Sequence, residues 1–156
     1  MVNIVLFEPE IPQNTGNIMR TCAGTDTKLH LIKPLGFSLD GKEVKRSGVN
    51  YLEHCNYQVY ENWDDFIGKN KGTIYFLETF GSKLYTDFDF SDINENIYLV
   101  FGKESTGIPK EIIQEYAGNC LKIPFNDKIR ALNLSNCVAL VLFEALRQQD
   151  YPNLSK

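Results

Sequence analysis

Short apolar segments that suit buried strands alternate along this chain with segments that suit helices. The first, Val2–Phe7, is an apolar run of the kind found in strands covered on both faces. Further strands are predicted at residues 29–32, 57–60, 73–77, 97–101 and 121–123. Because strands and helices alternate, the sequence predicts an α/β fold with a mostly parallel sheet flanked by helices.

The helical segments are recognised by their start signals and their apolar spacing. Asn14 and Thr15 are expected to cap a helix over residues 16–24, and Pro109 suits the first turn of a helix over 109–115. Further helices are predicted at 63–67, as a short one within 42–52, and in the hydrophobic segment after Asn133. Residues 137–143 of that segment are apolar all round, so one face can cover the sheet while another packs on a partner.

Length and composition limit the class of protein. A chain of 156 residues suits a single domain over 1–156, with residues 151–156 expected as a loose tail. No segment reaches the roughly 20 apolar residues of a membrane span, and the start lacks the basic flank of a signal peptide. Four widely separated cysteines and two histidines favour reduced, packed thiols over a metal site. We therefore expect a cytoplasmic protein without a metal.

The charge pattern bears on possible partners. With 16 basic and 20 acidic side chains the net charge is −4, which argues against non-specific coating of nucleic acid. Three cations nevertheless lie within residues 42–46, and Arg20 and Lys28 flank the first helix. These basic edges permit binding of a small, defined RNA, although a solvated surface without a partner has the same composition.

Polar loops follow three of the predicted strands. They cover residues 8–17, with Arg20 one turn further on, residues 102–107 and residues 126–136. Because ligands of parallel sheets bind at the carboxyl ends of the strands, the three loops predict one ligand site. For the last loop a second interpretation stays open, since Asn133, Ser135 and Asn136 are also common helix caps.

Familiar nucleotide and hydrolase motifs are absent from these loops. Gly102-Lys103 lacks the earlier glycine of a phosphate-binding loop, and no Gly-x-Gly-x-x-Gly follows the first strand. Neither histidine stands beside a plausible nucleophile, which argues against a hydrolytic triad. Backbone groups, amides, hydroxyls, one carboxylate and a few arginines remain. That set suits an adenosine-like cofactor and a phosphate-bearing acceptor.

Residues 3–20, 99–107 and 123–136 resemble, in order, the three signature motifs of the SPOUT class of RNA 2′-O-methyltransferases. The short chain and its Glu-Pro-Glu-Ile-Pro opening look most like the TrmL branch, which methylates the ribose of the tRNA wobble nucleotide, a cytidine or modified uridine. The likeness covers nearly the whole chain. It implies an enzyme that acts on the anticodon stem-loop of tRNA and works as a homodimer.

The resemblance also implies a carboxy-terminal trefoil knot, a rare exception to the rule that chains are not knotted. S-adenosylmethionine would lie bent in the knot and be held largely by backbone groups. The cofactor-binding residues that the resemblance implies are Leu77, Glu78, Thr79, Gly102, Lys103, Glu104, Ile123, Ala131, Leu132 and Ser135.

For catalysis the resemblance implies Arg20, with Asn14, Glu104 and Asn133 positioning cofactor or acceptor. A guanidinium stays protonated, so Arg20 suits gripping a phosphate and stabilising charge better than acting as a base. Ala131 departs from many relatives, which have serine there, so a hydroxyl contact is lost. A non-catalytic RNA- or cofactor-binding module that retained the fold stays open as an alternative.

Overall fold

The computed structural model describes residues 1–48 and 52–156. Within them, strands and helices alternate as the sequence predicts. The strands are β1 (Val2–Phe7), β2 (Lys28–Ile32), β3 (Tyr57–Tyr60), β4 (Thr73–Leu77), β5 (Lys83–Leu84), β6 (Ile97–Phe101) and β7 (Cys120–Lys122). The helices are α1 (Pro12–Gly24), α2 (Lys42–Gly48), α3 (Trp63–Lys69), α4 (Lys110–Gln114) and α5 (Leu134–Gln148), with 3-10 turns at Leu52–His54 and Tyr85–Asp87.

The strands form one sheet in the order β3-β2-β1-β6-β4-β7-β5, and its described pairings are all parallel. The predicted α/β fold with a mostly parallel sheet is therefore confirmed. All six residues of β1 are buried, which agrees with its apolar run and its place between β2 and β6. The order also places β7, which leads toward α5, between β4 and β5; the trefoil knot itself stays a prediction.

Helices cover both faces of the sheet. Ile4 and Leu6 of β1 face a core that includes apolar side chains of α1, α2 and α5. Val5 and Phe7 face the other core, which includes side chains of α3 and α4. This alternation follows from the two-residue period of a strand, and double coverage explains why β1 has apolar residues on both faces.

Hydrogen bonds link three polar side chains, Asn3, His30 and Tyr60, across the second core. Its Nε2 lies 3.0 Å from Asn3 Oδ1 and its Nδ1 lies 2.8 Å from the Tyr60 hydroxyl. Because Asn3 Nδ2 donates to the Ile97 carbonyl, Asn3 Oδ1 accepts from His30 Nε2–H, and His30 Nδ1 then accepts from Tyr60. Burial lowers the pKa of His30 to about 3. The ring is therefore neutral at pH 7, and its role is to satisfy the polar groups of the core.

The start of α1 differs from the prediction. The helix begins at Pro12, so Asn14 and Thr15 lie inside it and are buried rather than capping a start at Gly16. Proline suits this first turn because its fixed φ is helical and its missing N–H is not needed there. Ile11, at the N-cap position, makes no side-chain cap bond. The capping group comes from another loop, as described below.

Other departures are local. The short helix predicted within 42–52 is α2 together with the turn Leu52–His54, and residues 49–51 lie outside the described residues. β5 has only two residues, too few for a strand pattern, and it pairs with β7. The segment 151–156, expected to be loose, packs Tyr151 and Leu154 against the core, and the Tyr151 N–H donates to the Leu146 carbonyl at 2.8 Å.

The cysteines are free thiols, as predicted, and three of the four are buried. None of the helices in the described parts of the chain is long and apolar enough to cross a membrane.

Candidate active site

A pocket of about 510 Å³ lies at the carboxyl ends of β4, β6 and β7, beside the start of α1. It brings together nine of the ten residues expected to hold the cofactor, all except Ser135. Of the residues assigned to catalysis and positioning, Asn14, Glu104 and Asn133 line the pocket and Arg20 does not. The three polar loops therefore meet at one place, as the strand order requires.

The loop after β6 folds tightly back on itself. The N–H of Gly107 donates to the carbonyl of Lys103 at 2.9 Å, and Gly107 has a φ of +71°, which favours glycine. A Cβ added to Gly102 would come within 2.6 Å of Gly107 Cα. This packing leaves no space for a side chain at Gly102, so the loop presents backbone to the pocket.

Glu104 fastens this loop to the start of α1. Its Oε2 accepts the N–H of Glu10 at 2.9 Å, and its Oε1 accepts the N–H of Ile11 at 3.2 Å and Asn14 Nδ2 at 3.3 Å. A carboxylate is favourable at a helix N-terminus, where backbone N–H groups lack partners within the helix. Glu104 therefore supplies the cap that α1 lacks locally. Both of its carboxylate oxygens are thus engaged in contacts within the protein.

Two asparagines extend this connection to α5. Asn133 Nδ2 donates to Asn14 Oδ1 at 3.1 Å. Asn133 Oδ1 in turn accepts the N–H groups of Ser135 at 3.0 Å and Asn136 at 3.3 Å. Asn133 is thus the N-cap of α5, as the capping interpretation predicted, and it also contacts α1. We call the connected set Glu104, Asn14 and Asn133 the polar clamp.

Ser135 serves the helix start and not the pocket. Its hydroxyl donates to Asn133 Oδ1 at 2.5 Å, and Ser135 is not among the pocket-lining residues. With its hydroxyl bonded to Asn133, a cofactor contact of Ser135 stays a prediction. Ala131 itself lines the pocket, where its backbone remains available.

Two further contacts between the first and second loops were not predicted from the sequence. Glu10 Oε1 accepts the N–H of Ser105 at 3.0 Å and its hydroxyl at 2.6 Å, and these bonds lower the pKa of Glu10. Lys103 Nζ lies 3.3 Å from Glu8 Oε2. The signal in the sequence was the opposite charge of Glu8 and Lys103, which follow neighbouring strands.

Glu78 lies in the loop after β4 and lines the pocket. Its Oε1 accepts the N–H of Ile108 at 3.2 Å. Burial raises the pKa of Glu78, and the bond from Ile108 opposes that effect.

The mouth of the pocket has aromatic and basic side chains. Phe125 and Arg130 line the pocket and are exposed, and neither was among the residues predicted to bind the cofactor or to take part in catalysis. Arg20 is exposed on α1, six residues after Asn14, and lies outside the pocket lining.

A parallel sheet whose carboxyl edge forms one pocket from three polar loops defines an α/β protein with a ligand site at that edge. The chain belongs to the SpoU rRNA Methylase family, whose family model matches residues 1–143.

Individual relatives can be aligned with this chain over almost their full length. Proteins named tRNA (cytidine(34)-2'-O)-methyltransferase from Methylovorus glucosotrophus and Saccharophagus degradans are each 46% identical to this chain. The first alignment covers 97% of this chain and 97% of the relative. The second covers 95% of this chain and 96% of the relative. A solved structure from work on the 2-OH methylation of C/U34 on tRNA is 35% identical, with a TM-score of 0.87 over 96% of this chain and 91% of that chain.

Proposed function

We propose that this protein transfers a methyl group from S-adenosylmethionine to the ribose 2′-oxygen of nucleotide 34, the wobble nucleotide, in tRNA. The observation that carries the proposal is the near full-length likeness to proteins named for that reaction on cytidine 34. The same proposal includes the cytoplasm as the place of action, which the free thiols favour.

The pocket fits S-adenosylmethionine in size and in chemistry. Its volume of about 510 Å³ lies within the usual range of roughly 300–1,000 Å³ for small-ligand sites. Glycine-rich backbone lines it, and Lys103, one of its cations, is paired with Glu8. That donor set suits a nucleoside without phosphate groups. Bound there, the cofactor supplies an electrophilic methyl group on a sulfonium.

The polar clamp positions the cofactor loops. Through Glu104, Asn14 and Asn133, the loop after β6, the start of α1 and the start of α5 keep a fixed spacing. Methyl transfer needs the 2′-oxygen aligned with the carbon–sulfur bond, so errors in this spacing reduce the rate. We assign this alignment, and no proton transfer, to Glu104.

Arg20 is assigned to the acceptor and not to the cofactor. It is exposed on α1 outside the pocket lining, where an RNA backbone can approach. A guanidinium there would grip the phosphate beside the target ribose and stabilise charge that develops on the 2′-oxygen. Phe125 and Arg130 at the mouth would contact the same nucleotide by stacking and by charge.

The homodimer belongs to this proposal as well. Leu140 and Phe143 of α5 are each 44% exposed, although the opposite face of the helix is fully covered by the core. A second copy packed on this face would remove these apolar side chains from water.

The test is incubation of the protein with labelled S-adenosylmethionine and total tRNA, followed by mapping of ribose methyl groups. We expect label in tRNA, confined to nucleotide 34. Normal cofactor binding without transfer to any tRNA would refute the enzyme and leave the non-catalytic binding module as the function.

A further inference from the structure

The charged side chains that line the pocket differ in the partners that they contact. Lys103 is paired with Glu8 at 3.3 Å. Glu104 has both oxygens engaged by N–H groups at the start of α1. Arg130 is exposed at the mouth. Glu78 takes part in none of the salt bridges formed by residues 1–48 and 52–156, so this pocket carboxylate has no ion-pair partner among them.

The Glu78 carboxylate is half-buried and has room beside it. Its Oε1 accepts the Ile108 N–H at 3.2 Å, and within the described chain Oε2 has no hydrogen bond. A Cβ added at Gly107 would stand 3.3 Å from each oxygen, so glycine leaves that side of the carboxylate open. Burial raises the pKa of Glu78, which means that the protein surroundings alone disfavour its charged form. A cation in the pocket would stabilise that form.

We infer that the Glu78 carboxylate makes the pocket select the cationic cofactor S-adenosylmethionine over its neutral-sulfur product, S-adenosylhomocysteine. This inference rests on the proposed function. Because the carbon–sulfur electron pair stays on sulfur when the methyl group leaves, the attraction to Glu78 is lost at that point. Glu78 would thus favour binding of the methyl donor and release of the product at the same site.

The size of the effect follows from the separation of the two charges. At a separation of about 10 Å, and at the effective dielectric constant of a partly exposed site, the attraction between a sulfonium in the pocket and the Glu78 carboxylate corresponds to about a tenfold preference. A hydrogen bond that Glu78 accepts from a ribose hydroxyl of the cofactor would strengthen the binding of both ligands equally.

Glu78 could instead serve only to tether the loop after β4 to Ile108. Glu78→Gln separates the two roles, because the amide oxygen still accepts the Ile108 N–H while the charge is removed. Glu111→Gln is the matched control, since it removes one negative charge from the exposed surface of α4, away from the pocket lining.

The experiment is isothermal titration calorimetry of the full-length protein with S-adenosylmethionine and with S-adenosylhomocysteine. In Glu78→Gln we expect the affinity for S-adenosylmethionine to fall about tenfold and that for S-adenosylhomocysteine to change less than about twofold. Glu111→Gln should bind both like the original protein. Thermal unfolding without ligand checks that each variant is folded. Glu78→Asp, which keeps the charge, should keep the preference and provides the test if Glu78→Gln does not fold.

Equal changes for the two ligands, or no change for either, would overturn the selection by charge while leaving the methyltransferase proposal intact. A Glu78→Asp variant that loses the preference would overturn it as well. If the original protein binds neither ligand, the proposed function fails and this inference fails with it.

Discussion

The polar clamp makes a quantitative prediction about Asn133, whose side chain has two separable roles. Its Oδ1 caps α5 through the N–H groups of Ser135 and Asn136, and its Nδ2 donates to Asn14 Oδ1. Asn133→Ala removes both roles. Asn133→Ser retains a capping oxygen but loses the donor to Asn14, so the two variants separate the cap from the contact between helices.

The expected costs follow from burial. Loss of an N-cap typically costs about 1 kcal/mol of stability. Loss of the Asn133 donor leaves Asn14 Oδ1 without its hydrogen-bond partner. Asn14 is 7% exposed and lines the pocket, so water can reach this oxygen. The cost should therefore lie near 1 kcal/mol, the low end of the range for an unsatisfied buried polar group. We therefore expect Asn133→Ser to reduce the free energy of unfolding by about 1 kcal/mol and Asn133→Ala by about 2 kcal/mol.

Urea denaturation followed by the fluorescence of Trp63 measures both variants. A double-mutant cycle with Asn14→Ala isolates the contact between the two asparagines, with an expected coupling of about 1 kcal/mol. If Asn133→Ser costs as much as Asn133→Ala, or if the coupling with Asn14 is zero, the polar clamp does not connect α1 and α5 as described.

Three further predictions address the core, the pocket and the acceptor side. Because the pKa of His30 is about 3 in the folded protein and 6.5 ordinarily, the unfolded chain binds an extra proton below pH 6.5. The free energy of unfolding should therefore decrease as the pH is lowered from 6.5 toward about 3, by up to about 1.4 kcal/mol per pH unit. His30→Gln should flatten that slope in urea titrations, and an unchanged slope would contradict the neutral ring. Gly102→Ala places a Cβ 2.5 Å from Gly107 C and should destabilise the protein by about 1–3 kcal/mol and weaken S-adenosylmethionine binding in calorimetry. Gly24→Ala, whose Cβ meets nothing within 4 Å, should do neither, and equal effects of the two would refute the close packing of the loop. Arg20→Ala should abolish methyl transfer while the affinity for the cofactor stays nearly unchanged. Arg20→Lys should not restore methyl transfer, because an ammonium lacks the paired donors of a guanidinium. A variant that keeps most of the rate would show that Arg20 takes no part in the reaction.

The strands of the sheet can be predicted from the sequence because each of them is marked by the residues of its own short segment. A strand covered on both faces is an apolar run, so β1 and β6 could be found without knowledge of their neighbours. The start of α1 could not be found in this way, because its cap is Glu104, 93 residues from Ile11 in the chain. β5 was missed because two residues carry no period.

The site was predictable to the extent that it depends on strand order. Loops that follow parallel strands meet at one edge, and this brought Asn14, Glu104 and Asn133 together in the pocket. The direction in which a helix side chain points depends on how the helix packs. Arg20, grouped with the site by its motif, consequently lies exposed on α1 outside the lining. Pairs such as Glu10 and Ser105 depend on loop conformation, which sequence patterns do not specify.

The most direct test of the proposed reaction uses two tRNA molecules that differ by one atom. One has an ordinary ribose at nucleotide 34, and the other has a 2′-deoxyribose at that nucleotide alone. Both are incubated with the protein and labelled S-adenosylmethionine. We predict stoichiometric labelling of the first tRNA and no labelling of the second. Transfer to the deoxy tRNA at a comparable rate would contradict 2′-O-methylation of the wobble nucleotide.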